Sequence, residues 1–246
     1  MIDSPWQLLR DELDRWVDAG LKARLWLRDD DAIEPTPALE RLCGLSHNHE
    51  IPVTLAAIPA RTGEALARFI EASDLVSVAV HGWSHMNHAP AGEKKQELGP
   101  HRPTAVVLSE LEQGFAVCKD LFGGKFVSAL VPPWNRIDRA LVSRLSPLGF
   151  SALSVFGHES YDEIQTINTH VDVIDWHGTR GCADHALLVK QLAGELAASR
   201  QSSHYAVGVL THHLMHDDAA WMFLQRLFVE TRHPAGEWHS LRQLMA

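Results

Sequence analysis

Cysteine is scarce in this chain: Cys43, Cys118 and Cys182 are widely spaced and form no C-x-x-C pair. That excludes a disulfide framework or a zinc ribbon and suits three reduced core thiols. No run of about 18 apolar residues is present to span a bilayer. The N-terminal stretch MIDSPWQLLRDELDRW is acidic and amphipathic, not basic then apolar, so the expectation is a cytoplasmic protein without a leader. Basic clusters are also missing. Lys94-Lys95 is the longest, and the formal charge is -9, which argues against a nucleic-acid partner or an anionic-membrane patch. Low-complexity segments, composition breaks and repeats of about 20–50 residues are absent as well. One domain over residues 1–246 is expected.

What is present is an alternation of short apolar runs with amphipathic segments. The runs Ala23–Leu27, Val53–Ile58, Val76–Val80, Phe126–Leu130, Ser151–Val155, Val171–Ile174 and Ala206–Leu210 read as strands buried on both faces. Between them lie helical patterns over Pro5–Ala19, Pro37–His47, Thr62–Ala72, Ser109–Leu121, Asp138–Leu148, Asp184–Ser199 and Asp217–Glu230. Ser, Thr or Asp stands at or near most of their starts, as capping requires. The alternation predicts parallel βα units, in either an open doubly wound sheet or a barrel.

Histidine is abundant, with sixteen, and its spacing carries information. His81-Gly-Trp-Ser-His85 follows directly on a predicted strand, and histidines at i and i+4 can reach one ion if the segment turns helical. That spacing alone is a weak signal, and two unrelated loop histidines would look the same. Arg28-Asp29-Asp30-Asp31-Ala32 ends another strand. Three consecutive carboxylates repel each other, and a bound cation explains them better than a solvated turn does: one ligates, a neighbour acts as base. Asp/His/His leaves a coordination position open, as a catalytic site needs. These donors favour zinc, with cobalt, nickel or iron able to occupy them. Three further polar groups close strands: Val131-Pro-Pro-Trp134-Asn135, Asp172-Val-Ile-Asp175-Trp176, and Leu210-Thr-His212-His213.

Taken in order, these motifs resemble those of the polysaccharide deacetylases, carbohydrate esterase family 4, whose pattern is T-F-D-D-G, H-(S/T)-x-x-H, R-x-P-Y-G, D-x-x-D-W and L-x-H. The resemblance spans about Leu25 to His213. It implies an α/β fold, a distorted (β/α)7 barrel, with one divalent metal and removal of N- or O-acetyl groups from sugars. Position by position it implies Asp31, His81 and His85 as ligands, Asp30 as the base on the attacking water, and His212 as the acid. Asp175 would tune that acid, the Trp134 N–H would face the oxyanion, and Leu210 with Trp176 would form the acetyl slot. The family's third-motif arginine is Val131 here, so Arg28 or Arg136 would have to steady the base. Ala32 and Asn135 replace glycines of the family pattern. The triplet leaves two registers open, Asp29/Asp30 and Asp30/Asp31, of which the second fits the family pattern better.

The expected partner is an acetylated carbohydrate or other small acylated molecule. A metal-dependent amidohydrolase or esterase acting on a non-sugar acyl group uses the same triad, and a glycan-binding relative that has lost catalysis is the third reading.

Overall fold

The computed structural model describes residues 5–202 and 205–246, so the first four residues of the acidic N-terminal stretch lie outside it. Eight of its nine strands follow one another around a single parallel sheet. They are β1 (Ala23–Ala32), β2 (Val53–Ala57), β3 (Val76–His81), β4 (Phe126–Val131), β5 (Ala152–Leu153), β6 (Gln165–Thr166), β7 (Val171–Asp172) and β8 (Val207–Thr211). Their order is β6-β5-β4-β3-β2-β1-β8-β7, and β9 (Gly236–Trp238) pairs with the start of β1.

The two strands at the ends of that order are neighbours in sequence. Thr169 N–H bonds Val155 O at 3.1 Å on one side, and His170 N–H bonds Gly208 O at 2.7 Å on the other. Residues 165–172 therefore form one interrupted stave shared by both edges, which closes seven staves into a distorted (β/α)7 barrel.

Alternation along β1 divides the core into two parts. Leu25 and Leu27 face outward into the layer beneath the helices, while Trp26 faces inward among Ala56, Ala79, Ala129 and Ala152. Four alanines make room for one indole, whose N–H bonds Asn168 O at 3.0 Å. A Cβ on Gly208 would lie 2.4 Å from that indole nitrogen, so the neighbouring strand needs glycine there. By the same alternation Arg28 and Asp30 rise inside the barrel above Trp26.

The helices around the barrel include α1 (Trp6–Asp18), α2 (Pro37–His49), α3 (Glu64–Glu71), α4 (Thr104–Phe122), the short α5 (Arg139–Val142), α6 (His185–Gln201) and α7 (Asp218–Glu230). Thr36, Asp184 and Asp217 cap α2, α6 and α7 through their side chains. Two helix expectations differ from the structure. The fourth helix begins at Thr104, a turn earlier than Ser109, because Pro103 supplies its start. The pattern over Asp138–Leu148 gives only Arg139–Val142 and a 3-10 turn, since Pro147 and Gly149 stop it. β6 and β9 were not expected, being two and three residues long with little apolar character. All three cysteines are free. Among the described residues no helix is long and apolar enough to cross a membrane.

Candidate active site

The three carboxylates of β1 are each claimed by a different partner. Asp29 faces His213, whose main-chain N–H reaches Oδ1 at 2.8 Å and whose Nδ1 lies 2.5 Å from Oδ2. Asp30 is gripped by Arg28, with Nε 2.9 Å from Oδ1 and Nη2 3.0 Å from Oδ2. Asp31 turns to the histidine pair: its Oδ1 is 3.2 Å from His81 Nε2 and 3.3 Å from His85 Nε2.

That last group fits a metal. In a tetrahedron with ligand distances of about 2.0–2.1 Å, donor atoms stand about 3.3–3.4 Å apart, close to these separations. Asp31 Oδ1 is buried and accepts no hydrogen bond. His81 Nδ1 lies 2.9 Å from Val131 O, which fixes the proton on Nδ1 and leaves a lone pair on Nε2. Burial pushes the Asp31 carboxyl up, but the neighbouring His81 and His85 outweigh it and hold it well below its ordinary value. Burial, with the neighbouring His81, holds His85 below the usual histidine range.

Backbone strain gathers here. Six described non-glycine residues have positive φ, and four are at this site: Asp31, His85, Trp134 and Asn135. Such conformations cost about 1–3 kcal/mol each and persist where the surroundings dictate them. One such determinant is Glu97, which is buried and was not singled out from the sequence. It accepts from Trp83 N–H at 3.1 Å, and from Ser84 N–H at 2.8 Å and Ser84 Oγ–H at 2.9 Å, tying down the loop between the two histidines. Nothing in a loop glutamate thirteen residues onward signals that role.

Arg28 is wholly buried, and besides Asp30 it donates to Asn135 Oδ1 at 2.6 Å and Ser154 Oγ at 2.8 Å. Arg136 lies elsewhere, with its guanidinium on Lys95 O. The Trp134 ring stands 4.4 Å from that of His85. His212 Nε2 is 4.0 Å from Asp30 Oδ2, so base and acid candidates face one space. Leu210 is buried beneath, and Trp176 presents its edge to His212 at 4.7 Å between centroids.

Asp175 is not brought to His212. The strand ends at Asp172, and Asp175 folds back to accept the N–H groups of His177, Gly178 and Thr179 at 3.2, 2.9 and 3.4 Å. Of the two carboxylates in this motif, Asp172 is the one that feels His212. Burial pushes its carboxyl up and the His212 charge opposes this, while its Oδ2 accepts from Trp176 Nε1–H at 2.8 Å.

His158, His170 and Glu195 also cluster within metal-ligand reach of one another, but the protons are differently placed. Gly208 N–H donates to His170 Nδ1 at 3.1 Å, so the neutral ring carries its proton on Nε2 and offers no lone pair there. Glu195 is satisfied by His158 Nε2 at 3.2 Å and Tyr205 Oη–H at 2.9 Å. Burial depresses His170 to about 4. A histidine depressed on folding stabilises the fold fully above its unfolded pKa, near 6.5, and that stability is lost as pH falls from there towards 4. His170→Asn keeps an acceptor for Gly208 N–H but cannot titrate. Its unfolding free energy should fall by about 2 kcal/mol less than that of the unsubstituted protein between pH 7 and pH 5, read from urea melts at the two pH values. Equal slopes would refute the assignment.

No family profile and no curated protein sequence matches this chain. Solved structures do. A family 4 carbohydrate esterase from Streptomyces lividans in complex with acetate superposes with TM-score 0.57 at 15% identity, covering 85% of this chain and 88% of that one. A family 4 acetyl xylan esterase from Clostridium thermocellum holding a cobalt ion gives 0.54 at 13%, over 90% and 89%. A family 4 pseudoenzyme from Bacillus anthracis gives 0.61 at 14%, over 92% and 66%. The chain has the fold of the polysaccharide deacetylases of carbohydrate esterase family 4.

Proposed function

We propose that the chain is a divergent member of that family, a metal-dependent hydrolase that removes an acetyl or similar small acyl group from an acylated sugar. The observation that carries this reading is Asp30, held by the buried Arg28 beside the Asp31–His81–His85 cluster and 4.0 Å from His212. Asp31, His81 and His85 would hold the ion, zinc by the chemistry of its donors, although the Clostridium relative is a cobalt complex. When bound, such an ion polarises the acyl carbonyl and makes the attacking water more acidic.

The chain's own residues do the rest. Asp30 takes the proton of the water, and Arg28 keeps both its oxygens aimed. The guanidinium that the resemblance places in the third motif comes instead from two residues before the base, with Asn135 of the third motif completing its contacts. His212 delivers a proton to the leaving amine or alkoxide from the opposite side. The Trp134 N–H, in its left-handed turn, is assigned to the developing oxyanion. Leu210 and Trp176 bound the space for the methyl group. Asp172, not Asp175, is the carboxylate placed to influence His212.

Asp31→Ala and His85→Ala proteins should each retain less than a tenth of the bound zinc, or about 1.4 kcal/mol or more of lost affinity, and lose deacetylation with it. Metal content by elemental analysis and acetate release from acetylated sugars check this. Full metal content in both variants would refute the site. Zinc uptake without turnover of any acylated sugar would favour a binding protein like the pseudoenzyme relative, and turnover of simple N-acyl amines alone would move the substrate outside the sugars.

A further inference from the structure

Asp29 has no part in the reaction proposed above, yet it is a fully buried carboxylate. It lies on the outward face of β1 with Leu25 and Leu27, close enough to Cys43 of α2 to raise that thiol's pKa. An apolar side chain suits that layer. A charge there costs several kcal/mol unless it is paired and hydrogen-bonded, and both its oxygens are taken by one residue, His213.

The position of this contact in the sheet gives it meaning. β1 and β8 run in register from Leu25↔Val207 to Asp29↔Thr211, and there the ladder ends. His212 is the first residue beyond it, so no strand partner fixes its backbone. The clasp begins at the next residue: one bond from Asp29 goes to the main-chain N–H of His213 and the other to its imidazole. Two bonds to two oxygens of one rigid carboxylate fix both the place and the tilt of the peptide joining His212 to His213. The other side of that peptide is held by Met215 N–H on His212 O at 2.8 Å.

We propose that Asp29 and His213 are positioning residues that aim the His212 ring at the leaving group, doing by side chain what the ladder does for the preceding residues. The inference rests on the reading of His212 as the proton donor. It explains the third aspartate of the triplet, which neither ligation nor base catalysis requires.

The test exploits leaving groups. An amine or sugar alkoxide must be protonated as it departs, whereas p-nitrophenolate leaves without a proton, so a misaimed acid slows the first reaction and spares the second. The proteins are the unsubstituted chain, His213→Asn, whose amide N–H replaces the Nδ1–H, and Asp29→Leu/His213→Phe, which removes the clasp without stranding a buried charge. The substrates are an N-acetylated amino sugar and p-nitrophenyl acetate, with zinc affinity measured alongside.

The double variant should lose about 10- to 100-fold in kcat on the amide with little change in KM, while its ester rate and zinc affinity stay within about 3-fold; His213→Asn should stay within about 3-fold throughout. Equal loss on both substrates, no loss on the amide, or failure of His213→Asn to preserve the amide rate would overturn the proposal and leave the proposed function intact. Inactivity of the unsubstituted protein on both substrates would overturn the function itself, and the clasp's role with it.

Discussion

Arg28→Met should lower the unfolding free energy by about 3–5 kcal/mol, among the largest single-residue effects available in this chain. Methionine retains the apolar length of the side chain, so the loss is electrostatic. Asp30 would keep its charge inside the barrel with both nearest cationic contacts gone, and Asn135 and Ser154 would lose a donor. If an uncompensated carboxylate is the cause, removing it should help: Arg28→Met/Asp30→Leu should regain most of the stability, as buried pairs exchanged for apolar groups usually do. Urea unfolding of the single and double variants completes the cycle. A cost below about 1 kcal/mol for Arg28→Met would mean that water or rearrangement satisfies Asp30 without the guanidinium. The activity of the double variant should remain absent, because stability and chemistry draw on the same pair in different ways.

Asp30→Asn should reduce kcat by about 10²- to 10⁴-fold while leaving metal content unchanged. The amide has the shape of the carboxylate and can still meet Arg28 through its oxygen, but it cannot accept a proton from water. Its neighbour Asp31 carries the contact with His81 and His85, so the ligand set is untouched. Retained turnover with retained metal would assign the proton to another group, and Asp29 is a poor substitute because its side chain points to the opposite face of β1 and is clasped by His213. This variant and Asp31→Ala therefore separate the two roles in the triplet: one keeps metal and loses turnover, the other loses both.

Much of this architecture was legible in the sequence, for physical reasons that also explain the gaps. Strands buried on both faces appear as unbroken apolar runs, and seven such runs became the seven staves. Polar residues at the ends of those runs marked the rim of the barrel, which brought Asp31, His81 and His85 into view from segments fifty residues apart. The triplet could be noticed but not apportioned. Which carboxylate faces which partner depends on the alternation of β1 and on a left-handed Asp31, and neither leaves a trace in composition. Glu97 was invisible because a loop glutamate reads as solvated. Asp172 and Asp175 were interchangeable on paper, and only the point at which the strand stops decides that Asp172 senses His212 while Asp175 closes a turn.

The triplet has a consequence for assembly as well as chemistry. Asp29 and Asp30 point to opposite sides of β1 and the left-handed Asp31 turns to the rim, and each has a partner that the other two cannot use: Asp29 on the helix side, Asp30 inside, Asp31 beside His81 and His85. If β1 paired one residue out of step, each would arrive in its neighbour's surroundings, and three buried or half-buried charges would lose their counterions together. A run of identical residues, which on its own would tolerate slippage, thus works as a vernier: it fits at one setting and is penalised at the adjacent ones.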